Sequence, residues 1–174
     1  DGAKELVRLL LSGEFDLSKQ CACSIHRFVG FKDALEWGMF RYTDIGIHGV
    51  DYRPPSSDSL DTIADQGFEF LQTRVADPKE RAVALFLFIS RSQFFFDANK
   101  RTASLMMNGC LMQNGYWPIT VLNRDSEEFH DKLGRFYETG DANEMMAFFA
   151  RIVKDLYPEQ SQHPVQKQTK GSRR

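Results

Sequence analysis

The chain has 174 residues, 22 Lys+Arg against 24 Asp+Glu for a net charge of −2, and a 42% hydrophobic share that includes 15 Phe. That length predicts one domain, residues 1–158, able to bury about 70% of its unfolded surface; the near balance of charge gives no global field to draw it to nucleic acid or a membrane. Three cysteines, Cys21, Cys23 and Cys110, are odd in number and ill spaced for a bridge, which points to a reducing, cytoplasmic setting. The longest apolar run, Ala82 to Ile89, is far too short to span a bilayer. No signal-peptide pattern precedes the first helix, and Asp1 in place of Met suggests a trimmed chain.

The chain reads as helices. Apolar spacing predicts a first helix over Ala3–Leu11, and Ser18 to about Glu36 holds one or two more. Within that stretch Cys21, Cys23 and His26 are too few for a closed zinc site. Trp37-Gly38 breaks the pattern. Residues 40–52 alternate poorly but carry Asp44, Gly46 and Gly49, which suits a short irregular β-hairpin, ended by Pro54-Pro55. A helix from about Ser59 to Val75 follows.

Three later helix starts share one chemistry. Asp77 with Glu80, Asp125 with Glu128, and Asp141 with Glu144 each offer a capping box, the first with Pro78 behind its cap. Gly115 and Gly140 stand where helix ends want a left-handed residue. Ala82–Ile89 and much of Ala103–Met112 have no polar face, so both helices should be buried. The aromatics Phe86, Phe88, Phe94, Phe95 and Phe96 read as core packing. Trp117–Leu122 is a short strand or a buried coil, and Asp125, Glu127, Glu128 and Asp131 read as solvated charge at a helix start. After Pro158 the chain turns polar, and 159–174 reads as a disordered tail.

The connection between the two buried helices is the most informative stretch: Gln93-Phe94-Phe95-Phe96-Asp97-Ala98-Asn99-Lys100-Arg101, opening a helix from about Asn99 to Asn114. A helix start has unpaired N–H groups and a dipole that favours anions. Asp97 could hold a divalent cation through oxygen, and Lys100 and Arg101 could neutralise phosphate oxygens. These residues fit a nucleotide-phosphate site; they also fit a capped helix with solvated charges on its first turn.

The segment resembles the signature of the Fic/Doc family, H-x-F-x-[DE]-G-N-[GK]-R, and most of all its Doc-type form ending D-A-N-K-R-T-A. Phe95, Asp97, Asn99, Lys100, Arg101, Thr102 and Ala103 match, and Gln93 stands where the family has His. Upstream, Ile25-His26, Trp37-Gly38, Arg41, the 46–52 stretch and Pro54-Pro55 follow the family's order of elements, so the resemblance covers roughly 24 to 157. It implies an all-α Fic fold, a helical bundle with a short β-hairpin flap. It also implies transfer of AMP or phosphate from ATP to a Ser, Thr or Tyr hydroxyl of a target protein. Asp97 would ligate Mg²⁺, Asn99 with the backbone of Ala98 to Arg101 would cradle the phosphates, and Arg101 would steady the developing charge. The flap, Ile45, Gly46, Ile47, His48, Gly49 and Val50, would pair with the target's extended backbone.

Departures from the pattern shape the expected activity. Lys100, and Ser104 in place of a second Arg, are Doc-like and leave open which phosphate reacts. Gln93 matters more, because a Gln amide orients by hydrogen bonds and accepts no proton, so catalysis should be weakened by roughly 10²–10⁴ in rate. His48 alone among the other histidines lies where it could approach the site, although a solvated loop residue is the plainer reading. His26, His130 and His163 have no evident route to it. Two other functions stay open: a non-catalytic Fic-like module that binds nucleotide or protein, and a toxin restrained by a separate antitoxin. The family's internal inhibitory pattern, [ST]-x-x-x-E-[GN], has no match here, so any inhibition would need a separate protein.

Overall fold

Seven α-helices and no strand form among the described residues, 1–31 and 34–158, of the computed structural model. They are α1 (Gly2–Ser12), α2 (Lys19–Val29), α3 (Leu60–Arg74), α4 (Pro78–Ser92), α5 (Asn99–Gln113), α6 (Ser126–Thr139) and α7 (Asn143–Leu156). The tail expected over 159–174 lies outside the described residues.

The two helices without a polar face, α4 and α5, form the centre. They pack along each other; α1 and α2 lie against α5, while α3 and α7 lie against α4, with α6 outside on α7. Leu85, Phe86, Ile89 and Met106 are essentially inaccessible, as are Phe148 and Phe149 of α7. Each such side chain is worth roughly 1.5–3 kcal/mol on burial, so this layer supplies much of the drive to fold. The helix carrying the signature is thus set in the most rigid part of the molecule.

Local chemistry explains where helices begin and end. Asp77 caps α4, accepting the N–H groups of Lys79 and Glu80 at 2.7 and 3.1 Å, with Pro78 in the first turn. Gly140 ends α6 at φ 74°, and Gly115 follows α5 at φ 82°. The other two expected capping boxes do not form. Asp125 is drawn instead to Arg151, 3.2 Å away on α7, and is buried rather than solvated. Asp141 accepts from Asn143 N at 2.9 Å, but α7 starts without a side-chain cap. Residues 117–122 are coil. Asn108 of α5 gives Ile119 both its backbone bonds, at 2.8 and 3.0 Å, in place of a neighbouring strand.

The hairpin expected over 40–52 is absent: this segment is irregular coil. Its polar backbone is claimed elsewhere. Arg41 N–H donates to Phe94 O, the Arg41 guanidinium takes the Thr43 carbonyl, and Ile47 O receives Val50 N–H in a turn. Gly46 and Gly49 add little strand preference, so no ladder remains to be built.

Close helix packing yields one test. A Cβ on Gly109 of α5 would stand 2.2 Å from the Phe15 ring. Gly109→Ala should therefore destabilise by about 1–3 kcal/mol, despite alanine's better helix propensity. Urea unfolding measures it, and an unchanged midpoint would mean that the α1–α5 contact is looser than described.

Candidate active site

Six residues, 93–98, connect α4 to α5. Their path is strained at both ends. Gln93 closes α4 with φ 49° and Ala98 precedes α5 with φ 58°, both in the left-handed region. A side chain there costs roughly 1–2 kcal/mol, so the surroundings must hold the loop in place.

Asn99 does most of that. Its Oδ1 accepts the Phe95 N–H at 2.9 Å, while Nδ2 donates to the Phe95 carbonyl at 2.7 Å and to Gln93 Oε1 at 3.1 Å. Asn99 is buried and its amide is engaged through both its oxygen and its nitrogen, so this side chain shapes the loop. Gln93 in turn donates from Nε2 to Ser90 O at 2.6 Å.

Two further side chains, neither assigned to the site from sequence, reach in from the first half of the chain. Arg41 is almost wholly buried; Nε donates to Gln93 O at 2.6 Å, and its terminal nitrogens donate to Thr43 O and Pro55 O at 2.9 and 2.5 Å. One guanidinium thereby ties the flap coil to the end of α4, with Asp44 3.7 Å away. His26 is fully buried and stacks flat on Phe95, ring centroids 3.8 Å apart. Gly38 N–H donates to His26 Nδ1 at 3.0 Å, which leaves Nε2–H to donate to the Asp97 carbonyl at 3.1 Å. His26 thus does reach the site, through the backbone. The signal was the His-x₁₀-Trp-Gly spacing, which has meaning only once the α2–coil turn is folded.

On its outer side the loop forms one wall of a cleft of about 550 Å³. Gln93, Asp97, Ala98, Asn99, Lys100 and Arg101 line it from the loop and helix start; Ile45, Gly46, Ile47 and His48 line it from the flap coil; Phe96 and Tyr137 complete it. Of the expected flap residues only Gly49 and Val50 lie outside the lining. Asp97 and Lys100 are exposed, and Arg101 Nη1 donates to Val29 O at 3.3 Å at the end of α2. α5 begins without a side-chain cap, so its first-turn N–H groups keep the anion-binding character of a helix start. A second cleft, of about 640 Å³, runs along α5 beyond Lys100 and Arg101 and is lined by Ser104.

The sequence profile of the Fic/DOC family matches residues 16–111. The chain is 27% identical to the protein adenylyltransferase Fic of Aedes aegypti, over 95% of this chain and 35% of that protein. It is 29% identical to the protein of the same name from Nematostella vectensis, over 75% and 31%. It therefore spans about a third of the length of these curated relatives. The fold matches Fic-1 of C. elegans with a TM-score of 0.74 at 21% identity, covering 89% of this chain and 48% of that one. It also matches a Fic family protein of Desulfovibrio desulfuricans G20, with a TM-score of 0.71 at 17% identity, covering 96% and 54%.

The buried imidazole gives a pH test. Burial first, and the nearby Arg101 charge as a further cause, hold the His26 pKa below its ordinary 6.5, against the Asp97 carbonyl bond. The unfolded chain then binds more protons than the folded one as pH falls through about 6.5, and stability falls with it until the lower folded pKa is passed. Urea unfolding at about pH 7.5 and about pH 5.5 should show this loss, and His26→Gln should show less of it. Identical pH dependence in both proteins would show that His26 is not held neutral.

Proposed function

The chain belongs to the Fic/DOC family, and from that membership we propose that it is a nucleotide-dependent protein modifier, moving AMP or phosphate from ATP to a Ser, Thr or Tyr hydroxyl of a protein target. The observation that carries this reading is the convergence of Asp97–Arg101 and the flap coil on one cleft. Phosphates would rest against the helix start, with Lys100 and Arg101 as counter-charges. The target's hydroxyl would enter along residues 45–48. Among the described residues the main-chain groups of 45–50 share one backbone hydrogen bond, Val50 N–H to Ile47 O, so an extended target segment would find unpaired main-chain groups there.

Asp97 fits a Mg²⁺ role. One carboxylate oxygen takes the Ala98 N–H at 2.5 Å, and among the described residues the other makes no hydrogen bond. Among the described residues no trio of His, Cys, Asp or Glu could hold a metal unaided. A lone carboxylate beside phosphates suits Mg²⁺, which keeps several waters and neutralises phosphate charge when bound. Gln93 sets the limit on rate, because its amide is engaged at both ends and has no basic lone pair. That commitment favours, as the second reading, a Fic-like module that binds nucleotide without transfer. The three cysteines are unbridged, and burial pushes the thiol pKa values up to about 11, so none is suited to act as a nucleophile at neutral pH; their odd number and spacing carry the reading of a reducing, cytoplasmic setting.

Calorimetry with ATP and Mg²⁺ tests the site. Asp97→Ala and Arg101→Ala should each weaken binding by roughly 10- to 100-fold, the size of one charge-assisted contact. Unchanged affinity in both variants would place the nucleotide elsewhere.

A further inference from the structure

The transferase reading leaves one chemical role empty: a group that takes the proton from the attacking hydroxyl. We propose that His48, on the flap coil, fills it as the general base that Gln93 is not; this rests on the function proposed above.

Of the titratable groups lining the cleft, His48 alone suits the task. Lys100 and Arg101 are donors without an acceptor site. Tyr137 is buried and its phenol is pushed up to about 12, so it keeps its proton at neutral pH. Asp97 is committed to the Ala98 N–H and to phosphate chemistry. An imidazole, by contrast, exchanges protons near neutrality.

The presentation of His48 fits the role. Val50 N–H donates to Ile47 O at 3.4 Å, which makes 47–50 a tight turn with His48 and Gly49 at its tip. Gly49 supplies φ 77° at the third position, as a type II turn requires. Nothing lies within 4 Å of the missing side-chain positions of Gly46 and Gly49, so no neighbouring side chain crowds the turn at these two positions. His48 is exposed and lines the cleft, and among the described residues no hydrogen bond engages its ring. The other described histidines are placed differently: His26 is locked between Gly38 and Asp97, and His130 sits beside Ser126 and lines the second cleft.

In the step, the hydroxyl oxygen of the target forms a new bond to the attacked phosphorus of the bound nucleoside triphosphate. The anhydride P–O bond breaks, and its electron pair leaves with the departing phosphate or pyrophosphate. The hydroxyl proton passes to the free imidazole nitrogen of His48 and then to water.

The test follows incorporation of α- and γ-labelled ATP into the protein itself and into a lysate, with nucleotide affinity measured in parallel by calorimetry. His48→Gln should lower kcat by roughly 10- to 100-fold, with ATP affinity unchanged within about twofold. Gln93→His, made in the His48→Gln background, should restore transfer, since the left-handed position suits His. His48→Gln transferring at the wild-type rate overturns the proposal. So does a silent wild type beside an active Gln93→His, which leaves the transferase site itself sound. A chain that binds no nucleotide overturns the transferase reading and this proposal with it.

Discussion

The amide of Asn99 is the constraint on which the rest of the site depends. It closes the 93–99 segment on itself by pairing both polar groups of Phe95 and the side chain of Gln93. Without it, the N–H and C=O of buried Phe95 would lose their partner, at a cost of roughly 1–3 kcal/mol for each unpaired group. Because the loop is fixed, Phe94 and Phe95 can turn into the core while Asp97 and Lys100 turn out. The stacked His26 and the buried Arg41 add a second tier of support from the first half of the chain. The rigid layer of α4 and α5 thus extends to the very atoms that face the cleft.

The two walls of the cleft differ in kind, and the proposed transfer would divide its labour between them. The loop wall carries fixed charge and backbone dipoles, which suit phosphate and need little rearrangement. The flap wall is coil with few internal bonds, which suits a partner that varies in sequence. Clefts lie on both sides of Lys100 and Arg101, so a nucleotide gripped there has room in either direction. Ser104, smaller than the arginine found at that place in AMP-transferring members, helps to leave the second side open. Under the proposed function, which phosphate would meet the hydroxyl depends on which cleft would take the nucleoside.

Much of this was legible in the sequence, for reasons that can be named. Helices α4 and α5 are apolar all round, and that pattern has one physical outcome. Asp77 and Gly140 work through neighbours a few residues away, so their roles could be read locally. Asp97 to Arg101 line one cleft wall from consecutive positions, so their grouping could be read locally. The hairpin was misread because its partner was a side chain: no strand pattern reveals that Arg41 will take the carbonyls. Asp125 departed from its cap because Arg151, 26 residues on, offered a stronger pull. His26 was passed over for the same reason, since its bonds run to Gly38 and Asp97 and depend on two turns being in place. Long-range polar contacts of this kind are what a single sequence conceals.

The reach of those contacts has a kinetic consequence. His26 and Asp97 are 71 positions apart, and Arg41 and Gln93 are 52 apart. Such contacts close large segments of chain, whose entropy must be lost before the bonds can repay it. Hence α4 and α5, six residues apart, can associate early, while the loop between them takes its final form only when α2 and the coil after it have docked. The amide protons of Arg41, bonded to the Phe94 carbonyl across this seam, and of Gly38, bonded to the His26 ring that donates across it, should then exchange with solvent together, in one cooperative opening that leaves the central helix pair intact.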